Sequence, residues 1–289
     1  MGQQAERANA ASKWPKIVGI PIAAMVLLIL FPVLIPAVLV CGVVAALLYK
    51  NKPCNPEDVR RFFDGFRIGG HRGAPKSFPE NGMAGFYQAK ADGADLIEFD
   101  VALTKDGEAV LLHDDDLDRT TNLTGPIRDK TLAQLAQANI SAHFTRSTYN
   151  RFLACFPFFK CRGFSISCKF CRKGNLPPVK DEGIPKLETV VKWAVENKMK
   201  MLFDVKDSDR ELVKIIGDLF EKYQLYDKAI VCSFFPWVVY FVKQGNQKIL
   251  SGLTWRRRFF SYKDLENTVP RYSGPKHYLF VLLDMIHVQ

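Results

Sequence analysis

Two carboxylates, Glu98 and Asp100, lie one residue apart in the apolar run Leu96-Ile97-Glu98-Phe99-Asp100-Val101-Ala102-Leu103. In a strand, residues i and i+2 point to one face, so the two acids project together. Side-by-side carboxylates repel unless a cation sits between them. Oxygen donors of this kind suit a hard divalent cation, Mg²⁺ or Ca²⁺. Lys105-Asp106-Gly107 then reads as a tight hairpin turn. Counting outward from that turn sets Asp100 roughly opposite His113. A second histidine, His71, follows Gly69-Gly70. Histidines beside such a pair suit acid–base chemistry near neutral pH.

These side chains need a scaffold. Residues 67–73 read as a first strand, and Gly69, Gly70 and Gly73 permit a sharp turn and close ligand approach. A helix is expected from Asn81 to Asp92, strands at 96–103 and 109–113, and a short helix from Thr131 to Ala138. Further on, a helix to about Asn197, a strand Met201–Val205, a helix Asp209–Tyr223, a strand Ala229–Phe234, a helix to Gln244 and a strand Ile249–Trp255 follow in turn. This βα alternation implies an α/β fold with a parallel sheet and right-handed crossovers, a barrel of the TIM type.

Six pieces, in order, carry a resemblance: His71-Arg72-Gly73, Pro79-Glu80-Asn81, Glu98-x-Asp100, Thr104-Lys-Asp-Gly107, Leu111-Leu-His-Asp114 and the run 118–125, DRTTNLTG. Together they resemble the glycerophosphodiester phosphodiesterase family, in particular its membrane-anchored animal branch. The resemblance runs from about residue 67 to about 255. It implies hydrolysis of glycerophosphodiesters to sn-glycerol 3-phosphate and an alcohol, with lysophospholipids as the alternative substrate. It further implies His71 and His113 as the general acid/base pair, with His113 also near the metal shell. Asp204, in Phe203-Asp204-Val205-Lys206, matches the third acidic ligand beside Glu98 and Asp100. Many family members carry Glu there, and the shorter Asp favours the smaller Mg²⁺, with Ca²⁺ the alternative. Arg72 and Lys206 are implied phosphate clamps, and Glu80 orients a substrate hydroxyl or a histidine. The family's two closing strands have no counterpart, so the barrel of residues 67–289 is expected to be incomplete at its C-terminal end. A truncated membrane scaffold is the contrasting expectation.

The 289 residues carry a formal net charge of +10 and a pI near 9.2. Such a balance suits nucleic acid, but no helix-turn-helix, RRM or finger pattern is present, so anionic lipid or phosphate is the expected partner. Residues 1–16 are polar and small, and read as a flexible lead. Residues 17–49 contain no charged side chain and are long enough for a transmembrane segment, with Pro32 and Pro36 allowing a kink. An integral membrane protein is expected. The sequons at Asn122 and Asn139 point to a lumenal or extracellular catalytic domain and a glycoprotein. An insert at 144–183 mixes aromatic and basic residues and holds Cys155, Cys161, Cys168 and Cys171. It suits a membrane interface, and its cysteines fit either disulfides or zinc.

Overall fold

The computed structural model describes residues 31–32, 34–45, 54–146, 176–207, 209–256, 258–262 and 268–286. Residues 1–52 and 53–289 form two compact units. In the first, residues 34–45 are helical, with Leu34, Ile35, Val38, Leu39, Val43 and Val44 exposed. Among the described residues no helix is long and apolar enough to cross a membrane. Most of the expected span at 17–49 lies outside them. So do the flexible lead and the four insert cysteines.

The second unit opens with α1 (Pro56–Phe63). Asn55 caps it by accepting from the Glu57 N–H at 3.0 Å, and Pro56 occupies the first helical turn. The chain continues through β1 (Gly69–Gly70), α2 (Met83–Ala91), β2 (Leu96–Leu103), β3 (Ala109–Leu111), α3 (Leu132–Leu135), α4 (Leu187–Glu196) and β4 (Lys200–Val205). It ends through α5 (Arg210–Tyr223), β5 (Ala229–Ser233), α6 (Pro236–Gly245), β6 (Ser251–Leu253) and α7 (Gly274–Ile286). The sheet order is β1-β2-β4-β5-β6, all parallel, with β3 antiparallel on β2. This is the α/β alternation of a TIM-type barrel, although among the described residues the sheet does not close on itself.

Strand alternation divides the two faces. Ile97, Phe99, Val101, Met201, Phe203, Val205 and Val231 pack against Phe86 of α2, Val190 of α4, Leu212, Ile216 and Phe220 of α5, and Val238 of α6. Phe99 and Phe203 meet edge to face at 4.8 Å, both fully buried. On the opposite face Leu96, Leu202, Ile230 and Leu250 pack with Phe62 of α1 and with Phe66. That apolar cluster closes the face beneath Glu98 and Asp100.

Three element boundaries differ from expectation for local reasons. The first strand shrinks to Gly69–Gly70 because Arg72 and Gly73 take positive φ, 54° and 84°, and leave the extended region. The helix expected over 131–138 is a single turn, fixed by a Thr131–Gln134 capping box. The hairpin strand expected to reach His113 stops at Leu111.

Candidate active site

One edge of β2 is shared. Its start pairs with β1 at Leu96 and Ile97, and its end pairs with β3 at Val101 to Leu103. Glu98 to Asp100 fall between the two ladders, where side chains supply the missing partners. Asp100 N–H donates to Asn81 Oδ1 at 3.1 Å, while Asn81 Nδ2 donates back to Asp100 Oδ2 at 2.9 Å. Arg72 N–H donates to Glu98 Oε2 at 2.7 Å. On the other edge of β2, Asp100 stands in register with Asp204 of β4. Glu98, Asp100 and Asp204 thus form a buried triad whose donor atoms lie within 4.8 Å of one another.

Charges flank this triad unevenly. Lys206 Nζ donates to Asp100 Oδ1 at 2.9 Å and to the His113 carbonyl at 3.0 Å, and Arg72 Nε lies 3.2 Å from Asp100 Oδ2. Burial alone would raise the Asp100 pKa, but Lys206 and then Arg72 outweigh it and hold the carboxyl well below its ordinary range. The other two acids go the opposite way. Burial, then the charges of Asp100 and Asp204, lifts Glu98 well above the ordinary carboxylate value. Burial, then Asp100, lifts Asp204 from 3.8 to about 7. Asp204 Oδ1 is also buried without a hydrogen-bond partner. Three converging hard oxygen donors, mutual repulsion and an orphaned carboxylate oxygen all fit a divalent cation.

Both histidines reach the triad. His71, immediately after β1, places Nε2 3.8 Å from Glu98 Oε2. Burial, then the neighbouring Arg72 charge, lowers its pKa to about 4, which keeps the ring neutral. The register pairs Asp100 with Leu112, whose N–H donates to the Asp100 carbonyl at 3.2 Å, and not with His113. His113 therefore arrives from the loop beyond β3, with Nε2 4.0 Å from Asp100 Oδ1.

Three residues without an assigned role from the sequence complete the site. Asp114 Oδ1 sits 2.5 Å from His113 Nδ1. Because hydrogen bonds hold the Asp114 pKa low against its burial, it is a charged acceptor, which assigns the proton to Nδ1 and leaves Nε2 available. Arg119 forks onto both acids behind this pair, at 2.5 Å to Asp114 Oδ2 and 2.6 Å to Glu80 Oε1. Glu80 also accepts from Arg72 Nη1 at 3.1 Å. Burial would raise Glu80, but the Arg119 hydrogen bond and the Arg72 charge lower it. Asn81 is the third such residue, and Gly73 holds the sharp turn expected of it. At φ 84°, a Cβ on Gly73 would also lie 2.8 Å from the Gly85 carbonyl carbon, so only glycine lets the loop close on α2. Asn81 and Asp114 lie inside the matched runs PEN and LLHD, and that position was their available signal.

The model of the glycerophosphoryl diester phosphodiesterase family matches residues 71–277 of this chain. Glycerophosphodiester phosphodiesterase 1 of Homo sapiens is 31% identical over 218 residues, covering 75% of this chain and 56% of the human protein. The Mus musculus protein of that name is 32% identical over the same shares. The chain thus spans little more than half the length of these relatives. A crystal structure from Silicibacter pomeroyi, assigned as a glycerophosphoryl diester phosphodiesterase, shares the fold. Its TM-score is 0.52 at 19% identity, over 67% of this chain and 68% of that one. With His71, Glu98, Asp100, His113 and Asp204 all inside the matched range and on one face of the sheet, this chain belongs to the glycerophosphoryl diester phosphodiesterase family.

Proposed function

We propose that the protein is a phosphoric diester hydrolase that cleaves glycerophosphodiesters to sn-glycerol 3-phosphate and an alcohol. The observation that carries this reading is the buried Glu98–Asp100–Asp204 triad with a histidine within about 4 Å on either side. Glu98, Asp100 and Asp204 would hold one divalent cation, with Mg²⁺ preferred and Ca²⁺ the alternative. Bound there, it would neutralise charge on a phosphoryl oxygen.

The chain's own residues divide the remaining work. A phosphodiester is anionic and resists nucleophiles, so charge must be offset before attack. Arg72 and Lys206 supply positive charge on the Asp100 side. Lys206 keeps one N–H beyond its bonds to Asp100 and the His113 carbonyl, and this points to a phosphoryl oxygen as its third acceptor. His71, held neutral, accepts a proton from the attacking nucleophile, either water directly or the glycerol hydroxyl with water opening the resulting cyclic phosphate. Burial, with the Lys206 and Arg72 charges, lowers the His113 pKa against the opposing pull of Asp100 and Asp114, so His113 gives up a proton readily, and once protonated at Nε2 it delivers that proton to the leaving alkoxide. Glu80 fixes Arg72 and Arg119 from its buried side.

A membrane setting belongs to the same proposal. The exposed apolar side chains of residues 34–45 and the net charge of +10 support an anchored protein acting at an anionic lipid surface. The sequons at Asn122, exposed, and Asn139, half-buried, support a lumenal or extracellular catalytic domain. The test is hydrolysis of glycerophosphocholine and glycerophosphoinositol by purified chain with Mg²⁺, against an EDTA control and His113→Ala. Metal-dependent turnover lost in the variant supports the reading, and no turnover by folded chain overturns it.

A further inference from the structure

The loop between His71 and α2 carries two residues in a conformation that side chains rarely adopt, Arg72 (φ 54°) and Asn81 (φ 58°). They are joined by Asn81 N–H donating to the Arg72 carbonyl at 3.1 Å. Each holds a carboxylate of the triad: Arg72 N–H on Glu98, Asn81 on Asp100. Such a conformation persists only where the surroundings over-determine it. The surroundings here come from far along the chain.

We propose that Glu182, supported by Arg146, is a positioning residue for Asp100, acting through the start of α2 and Asn81. Gly82, the N-cap of α2, offers no side-chain cap. Glu182 caps the helix in its place. Its Oε1 accepts from the Ala84 N–H at 3.1 Å, and the Met83 N–H donates to the same carboxylate. The fit is close, since a Cβ on Gly82 would lie 2.8 Å from Glu182 Oε2 and from Ile140 Cδ1. Glu182 is itself fixed. Its carbonyl accepts from Ile140 N–H at 2.8 Å, and its N–H donates to Asn139 Oδ1 at 3.3 Å. Arg146 clasps the middle of the same loop, donating to the Ser77 carbonyl at 3.1 Å and the Pro177 carbonyl at 2.7 Å, with its guanidinium over the Phe78 ring. Both residues lie at the two ends of the expected insert 144–183, so its base doubles as the brace of the loop that aims the triad. This rests on the triad being the cation site proposed above.

The test compares Glu182→Ala, Glu182→Gln and Glu182→Asp in the full chain, by Mn²⁺ affinity from EPR titration and by amide exchange of the peptide 96–103. Glutamine keeps an acceptor oxygen without the charge, so both readouts are expected within about twofold of wild type. Losing a helix N-cap is expected to weaken Mn²⁺ binding in the alanine variant roughly fivefold, with faster exchange at Asp100. Aspartate, one methylene short, is expected between the two. Wild-type affinity and exchange in the alanine variant would overturn the proposal, as would a glutamine variant as impaired as alanine. If alanine prevents folding, glutamine against aspartate decides. Wild-type chain that binds Mn²⁺ but hydrolyses no diester would overturn the hydrolase reading and leave this one to the binding and exchange data. Wild-type chain that binds no Mn²⁺ would overturn the cation site and leave exchange to decide.

Discussion

Asp204→Asn should stabilise the chain in EDTA while abolishing its response to a divalent cation. Asp204 is buried with an orphaned Oδ1, and burial together with the Asp100 charge raises its carboxyl from 3.8 to about 7. The folded pKa lies above the unfolded one, so ionisation of Asp204 opposes folding. The penalty is absent below about pH 4, grows as pH rises, and is fully present above about pH 7. A displacement of that size is on the order of 4 kcal/mol. Asparagine removes the charge and its amide N–H can donate to the neighbouring Asp100 carboxylate, but one buried polar atom stays without a partner, at a cost of about 1–3 kcal/mol. The net gain is then about 1–3 kcal/mol, and at roughly 2–4 °C per kcal/mol the melting temperature in EDTA at pH 7.5 rises by several degrees. At pH 4 the ionisation penalty is gone, and the variant is expected to be about 1–3 kcal/mol less stable than wild type. Adding Mg²⁺ or Mn²⁺ should raise the melting temperature of the wild type and not that of the variant. Thermal unfolding in EDTA and in 5 mM cation (about that concentration suffices for a weak site) at both pH values makes the comparison. A lower melting temperature for Asp204→Asn in EDTA at pH 7.5, or a preserved cation response, would refute the frustrated-triad argument.

Other perturbations separate orientation from packing. Asp114→Asn should lower kcat about 100-fold with little change in KM, because the His113 tautomer is no longer fixed; a drop under threefold in steady-state kinetics would remove Asp114 from the mechanism. Arg119→Lys loses the fork onto Glu80 and Asp114 and should cost less, roughly 3–10-fold in kcat. Phe203→Ala should destabilise the chain by about 3–5 kcal/mol in urea unfolding, since it empties a fully buried ring site beside Phe99 and Phe220.

The Glu98–Asp100 pair was legible because strand alternation has a period of two, and the same alternation put Ile97, Phe99 and Val101 into the helix-facing core. Asp204 was legible through its match to a known pattern, and the register with Asp100 gives that match a physical basis. The partners of the histidines were not legible as such. Asp114 acts on His113 only because the chain leaves β3 at Leu111 and turns. Asn81 acts on Asp100 only because two ladders stop short of each other on one edge of β2. Arg72 and Lys206 were expected to face phosphate, and both also neutralise Asp100, a double duty that residue type alone does not reveal. Glu182 braces a helix about a hundred residues upstream, a contact with no local signature.

The central claim, that a carboxylate-held cation drives diester hydrolysis, is tested most directly by phosphate-ester turnover in Glu98→Gln. Glu98 accepts from the Arg72 N–H, lies 3.8 Å from His71 Nε2, and by strand alternation projects to the face opposite the helix-facing Ile97, Phe99 and Val101. Glycerophosphocholine hydrolysis by wild-type chain is predicted to require Mg²⁺ or Ca²⁺, to stop in EDTA, and to fall about 100-fold or more in the folded Glu98→Gln variant. Undiminished turnover in EDTA, or in the variant, would contradict the account.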